Sequence, residues 1–511
     1  MIFRIAIGLV FALGIVPADD SSEFEARLID LNIVAVDNHG QPVNDLTSDD
    51  FQVSDAGKPQ KISFFRHNDR KLWQTPSLGP NEFSNRAGAE IPHATVILFD
   101  LLNERFGARG YAWNQLVHDL EPLETADYLY LYFLTVDGRL YVVHGLAGEE
   151  GEARQPGAVA WTRQIKLLMD QAMRAVTRTR PVDIDVAVRV QLTYVALNAL
   201  AVQLSRVPGR KNIVWITDGV PIALGPNRSD TGDFVDFTEQ LRQLSEGLDR
   251  SGVAIYPVRQ VMLGNNAGAG VSSEATLDDF AGLTGGRPDM GKDIGAALRQ
   301  AMDDLRVSYQ IGYYVPWQSL NGKFHKLRIV CKRKGVRIQA KTGYYAWPDP
   351  PGAKARQAID AAISTPFDAA EIGLRGTLST NPQAGRMAHL EVRIDAKDVA
   401  LGYEGDQYTG QLRLAVAGYQ ADGRIEDSAV VPLGLHYSVQ ERDKALNEGI
   451  EFSDNVMIGE QLNKVRLMRI PMMSISHSDL MPIRTERSDA GLCQCEIVID
   501  IRQEFSCSSL S

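Results

Sequence analysis

Two periods of hydrophobic and polar residues run along this chain, and the switches between them divide it. Over residues 24–66 the period is close to two. Leu31, Ile33 and Ala35 alternate with Asn32, Val34 and Val36 in a strand apolar at most positions, and Asn38-His39-Gly40 supplies a turn. Phe51-Gln52-Val53 and Ile62-Ser63-Phe64 flank Asp55-Ala56-Gly57-Lys58, which predicts a hairpin. From residue 94 short apolar strands alternate with segments of helical period. Strands are predicted at 94–100, 128–135, 139–144, 212–217 and 253–257. Helices are predicted at 110–120, 161–176, 188–202, 237–248, 277–283 and 294–305. Residues 307–315, 324–331 and 336–341 read as β additions at the edge of the same domain.

The pattern breaks at Trp347-Pro348-Asp349-Pro350-Pro351-Gly352, and period two returns at 390–394, 412–416 and 433–439. These divisions predict a leader at 1–18, a small β domain at 24–66 and a linker at 67–92. A main domain follows at 93–346, then a linker with a short helix at 347–365, a β-sandwich at 366–470 and an irregular tail at 471–511. The tail reads as disordered or as the product of an altered reading frame. Strands alternating with helices of this length predict an α/β fold with a doubly wound, mostly parallel sheet. A β module would flank it on the amino-terminal side and a β-sandwich on the carboxy-terminal side.

Composition adds location and removes some function classes. The 511 residues exceed what a single core sustains, and 44% hydrophobic with 23% charged residues is ordinary for a soluble protein. A formal charge of -11 argues against nucleic acid, which needs a basic face. Arg4, the apolar run 5–16 and the small residues before Asp19 have the order of a cleaved secretory leader. Export to the periplasm, cell surface or medium is therefore expected, with no stable membrane span after cleavage. Of four cysteines, Cys493, Cys495 and Cys507 crowd near the end, without zinc-site spacing.

Two apolar strands end in an aspartate. Thr95 to Phe99 leads to Asp100, and Asn212 to Thr217 leads to Asp218-Gly219. Ligands of α/β sheets bind beyond the carboxyl ends of strands, so the two carboxylates could share one rim. The alternative role is structural, each aspartate capping a neighbouring helix. Catalytic signatures are absent: there is no Gly-x-Ser-x-Gly elbow and no His-Glu-x-x-His helix. His325, among Lys323, Lys326 and Arg328, is expected at the surface. Lys332 to Lys334 with Arg337 is expected as a solvated strand end. Tyr309, Tyr313, Tyr314, Tyr344 and Tyr345 read as edge-strand packing rather than as a binding surface.

The order of these elements resembles the von Willebrand factor A domain. More narrowly, the chain resembles the bacterial VWFA-related domain proteins known chiefly from Acidobacteria. The phrases that carry the resemblance are Asp37-Asn38-His39-Gly40-Gln41-Pro42-Val43, Phe99-Asp100-Leu101-Leu102-Asn103 and Pro208-Gly209-Arg210-Lys211-Asn212, followed by Ala254 to Val258, Thr284-Gly285-Gly286 and Ile311-Gly312-Tyr313-Tyr314. The resemblance covers roughly residues 24 to 345.

The resemblance implies a metal-ion-dependent adhesion site for Mg²⁺, with Asp100 as first and Asp218 as last ligand. The two serine positions of that motif hold Leu102 and Glu104, so both hydroxyls are missing. Asn103 or Glu104 would supply an oxygen, and Thr179 or Thr193 the loop threonine. The implied metal ligands are thus Asp100, Asn103 and Asp218, in a degenerate site that holds Mg²⁺ weakly or not at all. The function implied is non-enzymatic: interaction with a protein partner outside the cytoplasm. The alternatives are a structural envelope component with an empty rim and, less in keeping with the motifs, a metal-dependent hydrolase using Asp100 and Asp218.

Overall fold

The computed structural model describes residues 10–11, 15–17, 26–69, 77–79, 82–84, 94–103, 106–120, 129–144, 174, 186–205, 210–217, 219–220, 226–228, 234–236, 238–259, 270–287, 293–347, 373–380, 387–399, 401–404, 406–420, 425–457, 462–470 and 495–500. Among them strand outweighs helix, and most strands lie in antiparallel sheets.

The expected doubly wound, mostly parallel sheet of von Willebrand A type is not the architecture of this chain. The sheet that contains parallel pairs is mixed and has five strands. In chain order its elements are β1 (Ala94–Asp100), α1 (Phe106–Leu120), β2 (Leu129–Leu134), β3 (Leu140–His144), α2 (Val186–Ser205), β4 (Lys211–Thr217), α3 (Thr238–Arg250), β5 (Val253–Arg259), α4 (Gly270–Thr284) and α5 (Ile294–Arg306). The strand order is β3-β2-β1-β4-β5, with β3 antiparallel to β2 and the other pairs parallel. The local reason for the mixed edge is a tight reversal. Thr135 accepts from Gly138 N, and Gly138 has a positive φ of 80°, so β3 returns directly alongside β2.

Strands β1 and β4 are buried at all seven positions, as expected of strands covered on both faces. Val96, Leu98, Ile213 and Trp215 pack with Leu197, Leu200, Leu244 and Phe280 on one side. Ile97, Phe99, Val214 and Ile216 pack with Leu116, Leu120, Leu298 and Ala301 on the other.

The strands expected as a separate amino-terminal module pair with those expected as an extension of the main domain. Ala26–Val36 lies antiparallel to Val307–Pro316, with Tyr309 opposite Ile33 and Tyr313 opposite Ile29. Phe51–Asp55 pairs with Phe324–Cys331 in a second antiparallel sheet. Ile29, Leu31, Ile33, Phe51 and Val53 share one core with Tyr309, Ile311, Tyr313 and Leu327. Two or three short strands cannot cover both of their faces alone, and the partners lie almost 300 residues further on. The hairpin forms about Ala56 and Gly57, both with positive φ, but its return strand is Lys58–Gln60. The segment from Phe64 instead joins the first sheet through Val307–Pro316.

Beyond residue 373 two antiparallel sheets enclose a core that includes Leu374, Leu390, Ile394, Leu414, Leu435 and Phe452. Four short segments outside the expected boundaries pair with their strands. Glu82–Ser84, from the expected linker, pairs with Leu374–Thr380. Cys495–Asp500, from the expected tail, pairs with Leu462–Ile470. Val10–Phe11 and Ile15–Pro17, from the expected leader, pair with Ile450–Met457 and Ile425–Tyr437.

Candidate functional site

The carboxyl end of β1 delivers Asp100 into the interior rather than to an open rim. Side chains alternate across a strand, so Asp100 shares a face with Leu98. In the pairing of β1 with β4, Trp215 stands opposite Leu98, and Phe99 and Ile216 are the last paired residues. Thr217 therefore follows at the level of Asp100, with Trp215 on its diagonal and on the same face.

Asp100 is 0% exposed and both of its oxygens accept hydrogen bonds. The backbone N–H of Asn103 donates to Oδ1 at 2.9 Å, closing the turn after the strand. Oδ2 takes three donors: Asn103 Nδ2 at 2.9 Å, Thr217 Oγ1 at 2.9 Å and Trp215 Nε1 at 3.1 Å. Burial pushes the Asp100 carboxyl above its ordinary range, while hydrogen bonds from Asn103, Thr217 and Trp215 pull it back down. Thr217 Oγ1 in turn accepts from Gly219 N at 3.1 Å, which ties the start of the next loop to the same centre.

Thr193 reaches this centre from α2. Its Oγ1 accepts from Asn103 Nδ2 at 2.9 Å and donates to the carbonyl of Arg189 at 2.8 Å. Of the residues implied as metal ligands, Asp100 and Asn103 are thus brought together, with Thr193 beside them. Asp218, Glu104 and Thr179 lie outside the described residues. Trp215 and Thr217 carry no motif that marks them. Their role follows from strand register, which the sequence alone does not reveal.

The described residues do not fit a cation at Asp100. An indole N–H can only donate, and it points at Oδ2. Asn103 turns its NH₂ group, not its oxygen, toward the carboxylate. Leu102, at the first serine position, is apolar and 6% exposed. Mg²⁺ requires oxygen ligands close to octahedral, and here the carboxylate is surrounded by hydrogens. The expected capping role also differs in detail, because Asp100 closes the turn at 101–103 and α1 begins only at Phe106.

A second buried polar cluster lies in the β unit. Asp55, 3% exposed, receives Tyr344 OH at 2.8 Å and Tyr313 OH at 3.0 Å on Oδ2, while Oδ1 lies 2.9 Å from His325 Nδ1. His325 is 8% exposed, which corrects its expected surface position. Burial and the neighbouring Tyr344 and Asp55 push the Tyr313 hydroxyl up. Tyr309 and Tyr313 are 0% exposed, so these tyrosines pack inward. The cluster joins strands of both sheets of the unit, as a structural cross-link does.

The basic run beyond Cys331 is not simply solvated, since Arg333 pairs with Asp45 at 2.6 Å and Lys332 Nζ donates to Asp49 O at 2.7 Å. On the outer face of the sheet containing Leu374–Thr380, a cavity of about 360 Å³ is lined by Glu82, Arg375, Glu391, Arg393 and Glu451. Its arginines are already matched, Arg375 to Glu82 and Arg393 to Glu451.

Other phrases single themselves out for structural reasons. Thr284 Oγ1 accepts from Ile255 N at 3.0 Å, and so caps the backbone on the open side of β5. Gly286 then passes so close that a Cβ there would stand 1.8 Å from Ile255 O. Arg210 donates to Gly285 O at 2.8 Å and to Tyr256 OH at 3.2 Å, and Asn212 donates to Ala301 O at 2.5 Å. No family model matches this chain, and no curated protein matches it either.

Proposed function

We propose that this protein is an exported, non-catalytic interaction protein whose central sheet works without a metal. The observation that carries this reading is the closed state of the Asp100 centre. A carboxylate with 0% exposure, held by donors from three residues of its own chain, offers neither a base nor a ligand to a substrate. A second buried acid, Asp55, lies beside His325 and is likewise spent on bonds between sheets.

The leader pattern at 1–18 supports export, and the charge of -11 supports a protein rather than a nucleic-acid partner. The residue phrases that resemble those of the VWFA-related proteins point toward interaction as well. A pull-down from envelope extract with and without a chelator tests the reading. The same protein partners are expected in both arms. Loss of partners on chelation would contradict metal independence, and the absence of any partner would leave a purely structural envelope role in its place.

A further inference from the structure

The amide nitrogen of Asn103 lies 2.9 Å from Asp100 Oδ2 and 2.9 Å from Thr193 Oγ1. One amide hydrogen serves each oxygen, so both are spent. Thr193 sends its own hydroxyl hydrogen to Arg189 O, which leaves a lone pair facing the amide. The nitrogen therefore occupies the point shared by an acidic oxygen at the end of β1 and a hydroxyl oxygen on α2. A hard cation at that point would touch the same two oxygens.

A second observation fixes which way the amide faces. Asn103 is 5% exposed, and its Oδ1 is buried without a hydrogen-bond partner. Leaving a buried acceptor unpaired is unfavourable. Turning the amide over would place Oδ1 against the Asp100 carboxylate and the lone pair of Thr193, which is worse. The orientation is thus selected by the need for two hydrogens between those oxygens.

We propose that the Asn103 side-chain amide is a built-in substitute for a divalent cation, bridging Asp100 to Thr193 and keeping metal out. Its nitrogen holds the strand end to α2 in the way a shared ion would, but as a fixed part of the chain. Charge is handled differently. A cation would neutralise Asp100, whereas here the negative charge is spread over donors from Asn103, Trp215 and Thr217. The inference deepens the metal-independent reading and rests on it. Its consequence is specific: one substitution at Asn103 converts a metal-indifferent centre into a metal-dependent one.

The test is thermal melting of the full chain in EDTA and in saturating Mg²⁺, Mn²⁺ or Ca²⁺. The wild type is expected to melt at the same temperature in all of them. Asn103→Asp sets two carboxylates face to face beside Thr193. It should melt lower in EDTA and regain at least roughly 3 °C with a cation. Asn103→Leu, which removes the bridge without adding oxygen, should melt lower and stay there. Adding Asp100→Ala to Asn103→Asp should abolish the cation response.

The proposal is overturned if the wild type itself gains stability from the cation. It is equally overturned if Asn103→Asp responds no more than Asn103→Leu. Should Asn103→Asp fail to fold, calorimetric titration of the wild type with Mn²⁺ decides instead, since saturable binding lost in Asp100→Ala would refute the substitution. The pull-down reads partners rather than metal, so the failure of either claim is seen separately.

Discussion

Trp215 donates its indole N–H to Asp100 Oδ2 across 3.1 Å, from one central strand to the next. Both side chains are 0% exposed. Trp215 also packs edge-on against Phe280 of α4, with ring centroids 5.9 Å apart. Trp215→Phe keeps much of that packing and deletes one donor to a buried charge. A loss of about 1–3 kcal/mol in denaturant unfolding is expected. A loss near zero would show that the carboxylate does not depend on the indole.

Gly286 has a different kind of constraint. A Cβ at this position would meet the backbone of Ile255, which cannot turn aside as a side chain can. Gly286→Ala should therefore cost about 2–4 kcal/mol through overpacking against β5. Gly57, with open space around it but a positive φ of 82°, provides the comparison. Gly57→Ala should cost about 1 kcal/mol, from backbone conformation alone.

Around Asp55 the order of two substitutions is the prediction. Tyr344→Phe removes one of two hydroxyl donors, and the carboxylate keeps Tyr313 and the pairing with His325. A cost of about 1 kcal/mol is expected. Asp55→Ala strands His325, Tyr313 and Tyr344 together and should cost about 3 kcal/mol or more. Equal costs in a denaturant series would argue against a shared acceptor.

Glu441 gives a pH dependence with a definite sign. It completes a capping box with Ser438, accepting from Ser438 N at 2.8 Å while its own N–H donates to Ser438 Oγ. Hydrogen bonds to the carboxylate, first from the Ser438 backbone N–H and then from its hydroxyl, hold the carboxyl below the ordinary value of 4.5. A carboxyl lowered on folding contributes stability above its unfolded value, and that contribution is lost as pH falls through the folded one. Melting of the helix Val439–Glu448 should thus become easier below about pH 4.5 in the wild type. In Glu441→Gln that pH-dependent part should vanish, as monitored by backbone amide shifts.

Elements were legible wherever local period decides them. The apolar runs ending at Asp100 and Thr217 are strands, and the helical period of Leu116, Leu120, Leu241, Leu244 and Leu248 marks buried helix faces. Partnerships between distant strands were not legible. Ala26–Val36 has the same period whether it pairs within its own module or with Val307–Pro316, and only the second choice covers Leu31 and Ile33. The doubly wound expectation failed for a different reason: residues 136–138, between the strands predicted at 128–135 and 139–144, leave no room for a crossover, so Leu140–His144 returns antiparallel to its neighbour.

The site was legible in part. Asp100 is visible as an acid ending an apolar run, but its donors depend on register, which sets Trp215 and Thr217 beside it. Asp55 and His325 carried a usable signal that charge obscured. Phe51, Val53 and Asp55 alternate inward, as do His325 and Leu327, so period two alone places the acid and the histidine in the core.

The most direct test of metal independence is calorimetric titration of the purified wild-type chain with Mg²⁺ and Mn²⁺, beside Asp100→Ala. Closed donation to Asp100 predicts no saturable heat in the wild type and no difference between the two proteins. Saturable binding to the wild type that disappears in Asp100→Ala would contradict it.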